Sequence, residues 1–294
     1  MKNILLAVGL LALTGTAFAG AKVVGTVEQS VNFTSGDAPS NTAMNSGNSA
    51  IGFKGSEKLS DDVTASYKIL YAVEAGGSKD EWLLDMYGTL NSKTYGAVTA
   101  GSYKGFMATE SLRTIDLFEA NIYTQAVTDH GRTRNGLQYI APRVGGFQIG
   151  VGGSASNKDN ANTGADSTEY MVNYKAGSAY ITASVLDKTA SDTKTTFVAG
   201  TYQLGAVKYI VGYESINKAS VKQDFTVLAA DWKFGDNNLR VGVKDQEANG
   251  STYQAELLHK MSKLTKVYVN VRQFSADAVN SDKTTLTTGF VINF

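Results

Sequence analysis

The sequence predicts an all-β protein, a 16-stranded antiparallel transmembrane β-barrel that crosses the bilayer with strands instead of helices. Three observations predict it. Apolar and polar residues alternate with period 2 along the whole chain. The connections between alternating segments sort into short and long ones by turns. In each well-alternating segment the charged side chains keep to one parity.

The strands are expected near 21–34, 48–57, 63–75, 81–91, 96–103, 133–141, 146–155, 167–176, 178–187, 194–204, 206–215, 223–234, 238–247, 251–261, 264–274 and 283–294. Helical periodicity is nearly absent, with a weak trace at 111–123. Seven tight connections (58–62, 92–95, 142–145, 177, 205, 235–237 and 262–263) alternate with eight others in the opposite phase. Those eight are 35–47, 76–80, 104–132, 156–166, 188–193, 216–222, 248–250 and 275–282, and most are longer and polar. Tight turns at one rim and longer loops at the other mark an even-stranded up-and-down barrel in an outer membrane. A soluble sandwich has no reason to sort its loops by side.

Parity then assigns the faces. An Arg or Lys on the lipid face at the bilayer midplane is unfavourable by about 2–4 kcal/mol. In 63–73 the odd positions Val63, Ala65, Tyr67, Ile69, Tyr71 and Val73 are apolar or aromatic, and Lys68 is even. The odd set therefore faces lipid and Lys68 the lumen. By the same rule Val267, Val269 and Val271 face out, and Lys266, Asn270 and Arg272 face in. Trp82, Leu84 and Met86 point outward against Asp85; Leu239, Val241 and Val243 point outward against Arg240 and Lys244. The lumen is expected to be polar and wet. Tyr209, Tyr213, Trp232, Phe234, Phe290 and Phe294 join Tyr67, Tyr71 and Trp82 as expected interfacial girdle residues.

Residues 1–19 stand apart. Lys2, the apolar run 4–13 and the Ala17-Phe18-Ala19 site read as a cleaved signal peptide, which leaves 20–294 as one barrel domain. The apolar run is too short to span a bilayer. With no Cys and two His, zinc, iron–sulfur and disulfide chemistries are set aside. Equal numbers of basic and acidic residues, 27 each, argue against a nucleic-acid binder.

Several words along the chain resemble one family, the general (non-specific) porins of the Gram-negative outer membrane, trimeric and 16-stranded. Ile51-Gly52-Phe53-Lys54-Gly55-Ser56-Glu57 is similar to the family's second strand. Tyr95-Gly96-Ala97-Val98-Thr99-Ala100-Gly101 resembles the strand entering the constriction loop, and Arg134-Asn135-Gly136-Leu137-Gln138-Tyr139 with Pro142 the strand leaving it. Thr288-Gly289-Phe290-Val291-Ile292-Asn293-Phe294 resembles the final strand, whose aromatic end the barrel assembly machinery reads.

The resemblance implies that the long third loop, 104–132, folds inward, with Glu110, Asp116, Glu119 and Asp129 facing a wall of cations. Arg134 matches a family ladder position, and Arg132, Lys54 and Lys68 are partial substitutes; Arg272 is a further inward cation. Thr26, Ala50 and Ser102 stand where the family often has basic residues, so the ladder is thin. The loop has Leu117-Phe118-Glu119-Ala120 in place of the family's Pro-Glu-Phe-Gly-Gly word, and the second loop is short for a subunit latch. A homotrimer remains the implied assembly. The implied partners are outer-membrane lipid, lipopolysaccharide and the assembly machinery.

Catalytic readings are weak. Ser191–Lys194 and Ser215–Lys218 match S-x-x-K only by spacing and lie at loops. His259 falls on the lipid-facing parity, and His130 at the end of the third loop lacks an evident partner. The expected function is a non-enzymatic, cofactor-free channel for passive diffusion of small hydrophilic solutes and ions. The competing readings are a sugar-type selective channel and a surface receptor or adhesin barrel.

Overall fold

The computed structural model describes residues 20–36, 40–73, 83–120, 132–155, 165–219, 221–247, 250–275 and 283–294. The expected signal peptide, and with it Trp82, Asp129 and His130, lie outside the described residues.

The strands are β1 (Lys22–Ser35), β2 (Asn41–Asn45), β3 (Ala50–Lys58), β4 (Val63–Ala72), β5 (Leu83–Ser92), β6 (Gly96–Lys104), β7 (Arg132–Ile140), β8 (Phe147–Ala155) and β9 (Ala165–Ala176). They continue as β10 (Ala179–Lys188), β11 (Thr193–Leu204), β12 (Val207–Lys218), β13 (Val221–Phe234), β14 (Asn237–Gln246), β15 (Gly250–Lys260), β16 (Thr265–Phe274) and β17 (Thr284–Asn293). Each pairs antiparallel with its neighbour in sequence from β3 to β17, and β17 returns to β1 through Thr26↔Asn293 to Ser35↔Thr284. The other edge of β1 is shared. Its first half pairs with β3 (Lys22↔Lys54 to Thr26↔Ala50) and its second half with β2 (Ser30↔Asn45 to Thr34↔Asn41). β2 and β3 thus occupy one place in the ring, and seventeen strands form sixteen staves of a closed barrel.

The break between β2 and β3 has a local cause. Residues 46–49 turn around the carboxylate of Glu28, which accepts the Asn48 backbone N–H at 3.0 Å. Gly47 sits at φ +51°, where a Cβ would lie 2.3 Å from the Glu28 side chain, so this turn admits no larger residue.

The pleat places side chains as the alternation requires. Val269 and Val271 are exposed on the outer face, while Asn270 between them is only 1% exposed. Tyr67, Tyr71, Met86, Leu239 and Val241 share the apolar outer face, as do Tyr209, Tyr213, Trp232, Phe234, Phe290 and Phe294. An outer surface this apolar on both strands and rims is built for lipid. Inside, Lys68 meets Asp85 at 2.7 Å, so both side chains point to the lumen.

The inner face is not uniformly polar, which corrects the sequence expectation. Leu186, Phe197, Ala199, Ile210 and Val227, contributed by β10 to β13, are buried on the inner side. They are covered by the connection after β6. That segment runs as a π-helix at Met107–Leu112 and an α-helical turn at Arg113–Ile115, earlier than the weak trace at 111–123. Met107, Ser111 and Ile115 recur every four residues and are the buried ones, so a single stripe of the helix lies on the wall.

Candidate functional site

The described stretch of the inward connection, 105–120, is pinned to the wall at both ends by carboxylates, and its middle is held by apolar packing. At the first end the backbone N–H groups of Phe106 and Met107 donate to Glu169 of β9, at 2.8 Å for Phe106. These are orphan donors of a helix start, and a carboxylate there also opposes the positive end of the helix. Gly105 leaves room for it: a Cβ would meet the Glu169 carboxylate at 2.2 Å. One turn on, the Ser111 and Ser184 hydroxyls share a hydrogen bond of 2.6 Å. Ile115 then seats its Cγ2 on Gly212 of β12, where a Cβ would come within 2.6 Å. Leu117 and Phe118 complete the apolar contact.

At the second end Glu256 of β15 accepts the backbone N–H groups of Glu119 at 3.0 Å and Ala120 at 3.3 Å. Asn270 Nδ2 donates to the same oxygen, Oε2, at 3.2 Å, and Oε1 takes Arg240 Nη1 at 2.9 Å. The register explains the convergence, since Arg240, Glu256 and Asn270 are cross-strand neighbours on β14, β15 and β16. Arg240 also reaches Glu119 at 3.2 Å, and Lys266 meets the same carboxylate at 2.6 Å. Gln254 donates to the Ala120 carbonyl at 2.8 Å. Ala120 itself packs on Leu258, Tyr268 and Val291. The loop therefore lies along the inner wall from β9 to β17.

The expected site residues separate into groups. Glu110 turns into the wall, where Tyr180 O–H donates to it at 2.6 Å and Asn173 Nδ2 at 3.0 Å. Glu119 is consumed by Arg240 and Lys266. Neither acid faces a cation across open water, contrary to the arrangement the resemblance implied. Asp116 does face the lumen and is exposed. The enclosing barrel raises its pKa, Glu119 adds to the rise and Lys104 and Arg240 oppose it, leaving it pushed up to about 6. Contact with lumen water limits that rise.

Among the cations, Lys54 is exposed and inward, directly across from Lys68 in the β3–β4 register. Lys68 is paired with Asp85. Arg272 lies half-buried with its guanidinium 5.4 Å from the Phe274 ring centre, and lines a polar cavity of about 280 Å³ with Glu28, Glu119 and Tyr268. Arg132 opens β7 opposite Lys104, and its side chain lies outside what is described. Arg134 departs from expectation. The register shifts between Gly101 and Tyr103, Asn135 takes φ +49°, and Thr133 becomes the partner of buried Tyr103. This bulge breaks the parity that was expected to turn Arg134 inward. Arg134 is exposed and joins no ion pair among the described residues.

Sequence reasoning missed Glu169 and Glu256 as anchors, and Arg113. Glu256 carried a usable signal: it is an acid on the inward parity of its strand, across from Arg240. Glu169 needed the loop's position to be meaningful.

Comparison with known proteins bears on the whole chain. A family model described as Gram-negative porin matches residues 5–279. A comparison with curated protein sequences found no match. Among solved structures, an anion-selective porin from Comamonas acidovorans is 18% identical, with 94% of this chain and 99% of that one covered and a TM-score of 0.76. OmpF of Salmonella typhi, in complex with daunomycin, is 17% identical over 94% and 98% of the two chains, with a TM-score of 0.77. A trimer form of OmpT from Vibrio cholerae is 14% identical over 94% and 99%, with a TM-score of 0.71.

Proposed function

The chain belongs to the Gram-negative porin family, and from that premise we propose that it is a passive, water-filled pore for small hydrophilic solutes and ions. Family and fold make it an outer-membrane channel; diffusion without a dedicated binding step is what we add. One observation carries the reading. Lys54 on the wall and Asp116 on the loop are inside the ring of staves and yet exposed. A ring of sixteen staves is too wide for its own side chains to fill, and the described part of the loop, 105–120, lies against the side from β9 to β17. The space left is aqueous, and a charged solute crossing it meets fixed charges at the loop. In this reading Asp116, Lys54 and Arg272 line the water path, while Glu110 and Glu119 hold the loop.

Purified protein in a planar bilayer is expected to give stepwise currents that scale with salt concentration. Absence of steps would refute the pore. Currents that saturate and are blocked by one sugar would favour a selective channel.

Protonation of Asp116 supplies a second check. As pH falls through about 6 the loop loses a negative charge, so the reversal potential in a salt gradient should move toward anion preference. Asp116→Asn should remove most of the movement between pH 7 and pH 5. A wild-type potential independent of pH over that interval would show that Asp116 stands away from the ion path.

We also propose export by a cleaved signal peptide at 1–19, recognition of the last strand by the barrel assembly machinery, and a homotrimer embedded among lipid and lipopolysaccharide. The trimer form of the Vibrio cholerae relative supports the last of these. Phe294 has two roles in this reading. Its backbone closes the ring by exchanging hydrogen bonds with Gly25 at 3.0 and 3.1 Å, and its ring ends the outer apolar row. Deleting Phe294 is expected to lower surface levels sharply while leaving transport across the inner membrane intact. Normal surface abundance of the deletion variant would exclude a role in assembly.

A further inference from the structure

In the stretch 105–120 only two side chains are exposed, Arg113 and Asp116. The helix explains why. Leu112 and Ile115 pack on the wall of β10 to β13, so Arg113 projects from the opposite side of the same turn, which inside a barrel is the lumen. Among the described residues the Arg113 side chain makes no ion pair and no hydrogen bond; its backbone N–H donates to the Ser111 carbonyl. Two acids of the described stretch 105–120 are turned away from that side chain: Glu110 is bound by Tyr180 and Asn173, and Glu119 by Arg240 and Lys266.

Barrel order shows what Arg113 faces. With β1 as the first stave and β3 as the second, β11 is tenth and β12 eleventh in a ring of sixteen, so they stand diametrically across from β3 and β4. Ile115 seats on Gly212 in the middle of β12. Lys54 occupies the middle of β3, exposed and inward, and is likewise without an ion pair among the described residues. Its cross-strand neighbour is another cation, Lys68, whose charge Asp85 balances. Among the described residues, the water path beside the loop thus passes between Arg113 and Lys54, with Arg272 a further lumen cation outside any ion pair, and Asp116 is the exposed carboxylate of 105–120.

We propose that Arg113 is the specificity-determining residue of this pore, acting with Lys54 across the lumen to favour small inorganic and organic anions over cations. The inference rests on the channel reading and names the solute class for the same site. Fixed charges in a narrow aqueous path raise the local concentration of the opposite ion. At roughly 5–10 Å in water, one charge alters the local ion ratio by about two- to four-fold.

The test is the reversal potential of the full-length protein in a planar bilayer under a potassium chloride gradient at low salt. The wild type is expected to prefer chloride. Arg113→Gln should lower the chloride-to-potassium permeability ratio about two- to four-fold, and Arg113→Glu further. Lys54→Gln should act in the same direction. Lys93→Gln, at the turn between β5 and β6, should leave the ratio where it is, and concentrated salt should shrink all the shifts. Both tested side chains are exposed and hold no part of the loop; heat-modifiable mobility on a gel confirms that each variant is folded. A cation-preferring wild type overturns the proposal, as does a ratio unmoved by Arg113→Gln in a folded, conducting pore. A wild type that conducts nothing refutes the channel itself, and is thereby distinguished from a failure of the selectivity assignment alone.

Discussion

Val269→Arg is expected to block barrel assembly, whereas Ser56→Arg should fold normally. Val269 is in the middle of β16, 48% exposed on the outer face, with Leu257 and Thr288 as its cross-strand neighbours. A guanidinium there must enter hydrocarbon or drag water and headgroups with it, an unfavourable change of about 2–4 kcal/mol that lowers the folded-to-unfolded ratio by one to three orders of magnitude. Ser56 is exposed on the inner face of β3, two residues from Lys54, where an added cation keeps its hydration. Heat-modifiable mobility after refolding into vesicles compares the two. Equal folding of both variants would mean that the faces are assigned wrongly. Parity alone offers Asn270 as the tolerant position, but the structure withdraws it. Asn270 is 1% exposed and donates to Glu256, so an Arg at that place would collide with the loop anchor.

Glu256→Ala is expected to release the far end of the loop while leaving the barrel standing. The carboxylate is 1% exposed and accepts from two backbone N–H groups, from Arg240 and from Asn270. Its removal strands those donors and leaves the Arg240 guanidinium in a half-filled site. Breaking a buried pair by deleting one partner costs about 3–5 kcal/mol. The strands are held by continuous ladders on both sides of β15, so the loss falls on the segment around Glu119 and Ala120. Single-channel currents should become noisy, with new conductance levels, and the Glu119 and Ala120 amides should exchange with solvent much faster. Glu256→Gln, which keeps one acceptor oxygen, should lie between the two. Quiet currents and unchanged exchange in Glu256→Ala would mean that apolar packing of Ile115, Leu117 and Phe118 alone fixes the loop.

The sequence by itself determined the barrel, its strand count and its faces. Lipid on one side and water on the other impose a period of 2, and the penalty for a charge in lipid gives that period its sign, as at Lys68, Asp85, Arg240 and Arg272. Those constraints act on each strand separately, so they are legible residue by residue. The split of the second stave was not, because it depends on Glu28 gathering 46–49 from the neighbouring strand. Arg134 illustrates the limit of parity: the bulge at Asn135 shifts the register there, and the Asn135-Gly136 pair is its local trace.

Only the tertiary structure decided which charges of the third loop meet the wall and which meet water. Alternation predicts a polar lumen; the structure instead places Leu186, Phe197, Ile210 and Val227 on the inner face and covers them with a helix. Glu169, Glu256 and Arg240 are distant in sequence from the loop they hold, and they converge because cross-strand register and barrel closure bring them there. Once those acids and cations are paired, Arg113 and Asp116 are left facing the lumen. The electrostatics of the path is set by the charges that pairing leaves over, and pairing is a property of three-dimensional neighbours, which a one-dimensional pattern does not contain.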